Sequence, residues 1–361
     1  MNSPSHRTES LDRLREERLE IERELQDSEH DLTTAESDEA LARHRRLRKG
    51  LLHLIATSDE ESIRIDSVVE VVRSLENELI YLHNFLVAPE DQDAKLARRL
   101  EALLQEIAGT FATSISRLEI RYYLGVLSLY GGKLDEARAS FEEVCESEES
   151  DESNDIKYKS FVMLGHLSHV QEDYERARDL HDQSMQYTHS PNVTAQAIAL
   201  KALNSYALQK RDEALELFEK ALELFRVDEP FYNEYFHRNS LLFCGAILFD
   251  REEHERAASY YEEVLDHVEN SSYDYFDALV QLGKIRFASG DYQGAATILE
   301  RAIEKQETEN EYLLDTLYWL ARAQLKIERK GDAKRCLEKV VASPVDYPKK
   351  TQAEQLLSQV S

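Results

Sequence analysis

Six times between residues 118 and 343 the chain repeats one spacing: a small residue in a helical stretch, an alanine twelve positions later, then an apolar or aromatic residue. The small residues are Gly125, Gly165, Ala202, Gly245, Gly283 and Ala321, and their alanines are Ala137, Ala177, Ala214, Ala257, Ala295 and Ala333. Successive units are offset by 40, 37, 43, 38 and 38 residues. A period of this length marks a stack of helix pairs, each burying its apolar face on its neighbours, rather than one globular core. Such a chain makes a surface rather than a pocket built for chemistry.

The clearest unit runs from Leu282-Gly283 to Ala295. Gly283 leaves room for a second helix to cross the first, and Ala295 is expected to be the small face opposite it. Ser289-Gly290-Asp291 reads as the turn, with Gly relieving the backbone at a helix end and Asp capping the next helix. Leu299 and Ala302 continue the apolar stripe at helical spacing. Tyr123-Leu124-Gly125 through Gly131-Gly132 to Ala137 and Phe141 follows the same logic, as does Met163-Leu164-Gly165 through Glu172-Asp173-Tyr174 to Ala177.

These units resemble the tetratricopeptide repeat family, with its Leu-Gly pair, an aromatic after the turn, an alanine and a late Phe or Tyr. The resemblance covers residues 118–343 and implies an all-α, right-handed α-solenoid of about six helix-turn-helix units. The units are longer than the family's usual repeat. The third, fourth and sixth depart further: Lys201 and Cys244 stand where leucine is usual, and Arg211, His254 and Lys330 where the aromatic is usual.

Composition agrees with long, seldom interrupted helices: 11 Gly and 6 Pro among 361 residues, with 32% charged. The net charge of −27 repels polyanions over most of the surface, so no nucleic acid is expected as a partner. Locally the balance reverses, since residues 322–350 hold nine basic against four acidic side chains. No stretch has the apolar length of a membrane span, Met1–Pro4 opens a polar tail without a signal peptide, and the three cysteines fit no metal or redox spacing. No membrane insertion and a cytoplasmic location are the expectations.

Outside the repeats, Leu11, Leu14, Ile21, Leu25 and Leu32 form a seam, and Leu41, Leu47, Leu51, Leu54 and Ile55 a second one. Residues 1–60 therefore read as a coiled coil or helical hairpin, closed on itself or on a second copy. Residues 61–117 read as a divergent helical pair shielding the first unit, and 344–361 as a C-terminal capping helix.

Catalytic signatures are missing: there is no Gly-rich phosphate loop, no nucleophile elbow and no His-Glu-x-x-His helix. His166 and His169 could share a metal with His181, but a histidine pair on a polar helix is more simply surface or groove lining. The acidic run from Glu146 to Asp155 lacks the ligand order and glycine of a calcium loop and reads as an inter-repeat loop. No metal, no cofactor and no enzyme activity are expected.

The resemblance places function on the first helix of each unit, which in the family lines a concave groove. Carried over, the groove residues are Tyr122, Val126, Leu129, His166, His169, Leu203, Tyr206, Leu242, Phe249, Lys284, Phe287, Tyr318 and Arg322. His169, Tyr206, Phe249 and Phe287 make an aromatic row through four units, which either receives a partner or packs on the adjacent unit. Tyr122, Val126 and Val162 replace the polar residues of the carboxylate-clamp members of the family, so that role is not implied. Two functions follow as expectations: an interaction scaffold holding a partner peptide or helix, with the N-terminal helices for oligomerisation or tethering, or a peptide-sensing bacterial regulator with an N-terminal helical output region.

Overall fold

The computed structural model describes residues 46–53, 67–68, 70–74, 117–148, 154–188, 190–230, 233–267, 273–304 and 311–360. The N-terminal seam, most of the 61–117 pair and residues 149–153 of the acidic run lie outside them. The described residues are helical, with no strand among them. The chain divides into two compact units, Met1–Tyr235 and Phe236–Ser361.

The first unit holds three helix pairs: α1 (Arg117–Tyr130) with α2 (Leu134–Cys145), α3 (Asn154–Val170) with α4 (Tyr174–Ser184), and α5 (Pro191–Ala207) with α6 (Arg211–Leu224). Each helix packs on the next, and α1 also touches α3. In the second unit α7 (Glu234–Asp250) pairs with α8 (His254–His267), α9 (Tyr273–Ala288) with α10 (Tyr292–Ile303), and α11 (Glu311–Lys326) with α12 (Lys330–Ala342). Helix α13 (Lys350–Val360) closes this unit on α12. Its Ala353 is buried, and Leu356, Leu357 and Val360 lie against the core of Leu317, Leu337 and Val340.

One turn geometry recurs at all six pair junctions and explains the spacing of twelve. The residue seven positions after each small residue has a left-handed backbone: Gly132, Glu172, Gln209, Glu252, Gly290 and Glu328, with φ between 60° and 83°. At each junction this residue's N–H donates to the carbonyl three positions back, and the next N–H to the carbonyl five back, as in Gly290 to Phe287 and Asp291 to Arg286. That is a Schellman motif, which satisfies carbonyls otherwise orphaned at the helix end. The residue closing the motif is also the N-cap of the second helix. Its carbonyl accepts from the repeat alanine, as Asp291 does from Ala295 and Asp173 from Ala177. The alanine thus falls twelve positions on because it makes the first helical hydrogen bond after the turn. Asp173 and Asp291 add side-chain caps to Arg176 N and Gly294 N.

The side chain seated over each glycine comes one turn beyond the alanine. A Cβ on Gly283 would lie 2.5 Å from Leu299 Cγ, on Gly125 2.7 Å from Phe141, on Gly165 2.6 Å from His181 and on Gly245 2.8 Å from Tyr261. Each partner is sixteen positions after its glycine; Phe218 and Leu337, at the same offset from Ala202 and Ala321, are buried too. Leu299 is thus the side chain nearest to Gly283, one turn beyond Ala295. Burying a Phe or Leu side chain there contributes roughly 1.5–3 kcal/mol, which makes this contact a main adhesive of each pair.

Candidate functional site

In the first unit the expected groove residues separate into buried and half-buried sets. Tyr122 and Val126 are 0% exposed and line no open groove, a correction to the sequence reading. They belong to a core cluster that also takes in Leu51, Val68, Val71 and Val72, and the Tyr122 ring meets Phe141 at 5.6 Å in a tilted pair. Side chains from before the repeats thus cover α1. Leu129, His166, His169, Leu203 and Tyr206 are half-buried. His169 Nδ1 lies 2.8 Å from Asn204 Oδ1 of the following pair. His181 is no partner for His166 and His169 at a surface site: it is 1% exposed over Gly165, and burial, with His169 nearby, lowers its pKa to about 3.

The aromatic row has a local cause. His169, Tyr206, Phe249 and Phe287 each supply the carbonyl that accepts from the left-handed residue, so each ring projects from the last turn of its helix. There it meets the first residue of the second helix. His169 contacts Tyr174 at 5.2 Å, Phe249 contacts His254 at 5.6 Å and Phe287 contacts Tyr292 at 5.2 Å, while the Arg211 guanidinium lies 4.0 Å from the Tyr206 ring centre. The rings rest primarily on their own pair, and all four remain half-buried.

In the second unit Leu242 and Phe249 are half-buried on α7. Lys284, expected in the groove, is not a free cation: its Nζ is 2.8 Å from Asp315. Asp315 also accepts from Lys349 Nζ at 2.5 Å and Tyr347 Oη at 2.7 Å. Burial alone would raise the Asp315 pKa, but Lys284, Lys349 and Tyr347 together hold it below the usual carboxylate range. Nearby Asp277 is pushed the other way by burial, although Gln281 donates to it.

Tyr318 is nearly buried at 6% exposure, and its ring meets Trp319 and Tyr347. Phe287 reaches the next pair at Trp319, 5.4 Å away. Arg322, half-buried, lies over three rings: Trp319 at 4.3 Å, Phe287 at 4.7 Å and Tyr318 at 5.6 Å. Sequence reasoning found Phe287, Tyr318 and Arg322 but passed over Trp319, Asp315, Tyr347 and Lys349. Trp319 is the chain's one tryptophan, two positions before a repeat small residue, a signal that was available. Lys349 lies beyond the last repeat, where no periodicity points to it.

Among the described residues no group of three His, Cys, Asp or Glu could hold a metal, and no helix is long and apolar enough to cross a membrane. Burial raises the Cys145 and Cys336 thiols to about 12 and about 11, which keeps both from acting as thiolates at neutral pH.

A sequence profile of the tetratricopeptide repeat matches residues 200–275 and 245–312, a stretch that includes the degenerate third and fourth pairs. Among solved structures, the C-terminal part of a repeat protein from Cytophaga hutchinsonii aligns with a TM-score of 0.53 at 12% identity, covering 79% of this chain and 99% of that one. A signal-transduction ATPase with a tetratricopeptide repeat sensor from Pyrococcus horikoshii aligns with a TM-score of 0.53 at 15% identity, covering 90% of this chain and 50% of that one. At these identities the likeness establishes the fold. No curated protein matches the sequence.

Proposed function

We propose that this tetratricopeptide-repeat protein is a non-enzymatic interaction scaffold that holds a partner peptide or helix against the first helices of its pairs. The observation that carries this reading is the half-buried row of rings at one position of successive first helices. Each is fixed by the same turn, so each unit presents regularly spaced apolar anchors. Aromatic anchors supply contact area at little entropic cost, and a few such residues dominate most protein interfaces. Residues 1–60 serve in this reading as the oligomerising or tethering segment. Light scattering on the full chain and on a chain beginning at residue 61 tests that role, and equal monomeric masses would remove self-association.

The test of binding begins with partners captured on the full chain and on the full-length Phe249→Ala variant. Because Phe249 rests on His254 and is only half-buried, truncation should leave most of the fold intact and weaken a captured partner by about 1–3 kcal/mol. A well-folded Phe249→Ala chain that binds as tightly as the parent would remove this ring from the interface. A variant whose loss of binding merely tracks unfolding would make the row a packing device.

A further inference from the structure

The second unit contains an aromatic platform that carries more positive charge than it neutralises. Lys349 Nζ lies 5.5 Å from the Trp319 ring centre, Arg322 lies over Trp319 and Phe287, Phe287 meets Tyr292 edge to face, and Lys326 Nζ is 5.7 Å from the Tyr292 ring centre. Lys284 and Lys349 share Asp315. Arg322 differs: among the described residues its guanidinium has ring contacts only, with no ion pair and no hydrogen bond. Lys284, at the corresponding position one pair earlier, has its carboxylate. Half-buried Arg138 also lacks an acid but donates to Gln171, whereas Arg322 has neither kind of partner, in a chain with 71 acidic residues against 44 basic ones. Three rings lie within 6 Å of the guanidinium carbon. Its donors then await a planar acceptor, and bidentate pairing with a carboxylate satisfies two of them at once.

We propose that the Phe287–Trp319–Arg322 platform binds an acidic peptide segment in which an Asp or Glu side chain neighbours an aromatic or aliphatic one. The carboxylate pairs with Arg322 and the apolar side chain lies against Phe287 and Trp319. Lys326, over the Tyr292 ring, adds attraction for a further acidic residue. A nucleic acid is the weaker candidate, because a polyphosphate extending past this cluster meets a protein of net charge −27. The inference rests on the scaffold reading and adds the partner's chemistry.

A library of random 12-residue peptides selected on the full-length chain, in parallel with full-length Arg322→Gln, tests it. Trp319 is the sole tryptophan, so its emission reports directly on whether a selected peptide reaches the platform. The expected result is enrichment of Asp and Glu beside apolar residues on the parent chain only. Selected peptides should change Trp319 emission and bind Arg322→Gln about ten- to a hundredfold more weakly, with a smaller salt dependence and an unchanged helical signal. Peptides selected equally on both proteins, without acidic preference, would overturn the carboxylate inference and leave the scaffold reading standing. No selectable peptide on either protein would overturn both. Tighter binding of a twelve-nucleotide oligothymidylate than of any selected peptide would replace the acidic peptide with a nucleic acid.

Discussion

Replacing Gly283 with Ala tests the helix crossing through a change of sign. The new Cβ would lie 2.5 and 2.6 Å from Leu299 Cγ and Cδ2. Ordinary carbon contacts are about 3.5–4.0 Å, so the atoms must part by roughly 1 Å. Leu299 is fully buried in one cluster with Ala295, Ala296, Leu320 and Ala323, so it must shift against packed neighbours. Overpacking of this kind costs about 1–3 kcal/mol, whereas Ala in place of Gly inside a helix gains about 1 kcal/mol. The net effect is a loss of up to about 2 kcal/mol. In a Leu299→Ala background, itself about 2–5 kcal/mol less stable, the overlap disappears and the propensity gain remains. There Gly283→Ala should stabilise by about 1 kcal/mol. Urea unfolding of the four proteins, followed by circular dichroism and Trp319 emission, gives the coupling. Effects that add to within about 0.5 kcal/mol would refute the placement of Leu299 over Gly283.

His181 is neutral in the fold, with a pKa of about 3 against 6.5 in a free side chain, so its contribution is fully present above pH 6.5 and drains away as pH falls toward 3. The loss from pH 6.5 to 5 should be about 2 kcal/mol, and His181→Phe, which places there the residue found at Phe141 and Phe218, should flatten that part of the urea-midpoint profile. The left-handed residues make a second set: Glu172, Gln209, Glu252 or Glu328 changed to Gly should each raise the thermal midpoint, by up to about 1 kcal/mol of stability, while Gly290→Ala should cost about 1–2 kcal/mol. Equal effects of both kinds of change would mean that the turns do not require this conformation.

The pair architecture was legible because small residue, turn and alanine recur at fixed offsets, and each offset corresponds to a backbone hydrogen bond or a steric limit. The left-handed position was legible only at Gly132 and Gly290, since Glu and Gln adopt it at the other four turns without any compositional mark. The side chain over each glycine was not legible, because Ala295 and Leu299 are both apolar on one face and spacing alone does not say which lies nearer the glycine. Groove lining was harder still. Val126 holds the register of half-buried His166, Leu203, Lys284 and Arg322 but, like Tyr122, is covered by Leu51, Val68, Val71 and Val72, and Lys284 is neutralised by an aspartate 31 positions later. Long-range covering and ion pairing leave no trace in a periodicity.

Amide hydrogen exchange on the full chain, with and without a captured partner, measures most directly whether the first helices form the binding surface. The account predicts that added protection concentrates on first helices, above all the stretches 242–250, 280–288 and 318–326, with little change in α8, α10 and α12. Protection confined to those second helices, or to residues before 117, would contradict it.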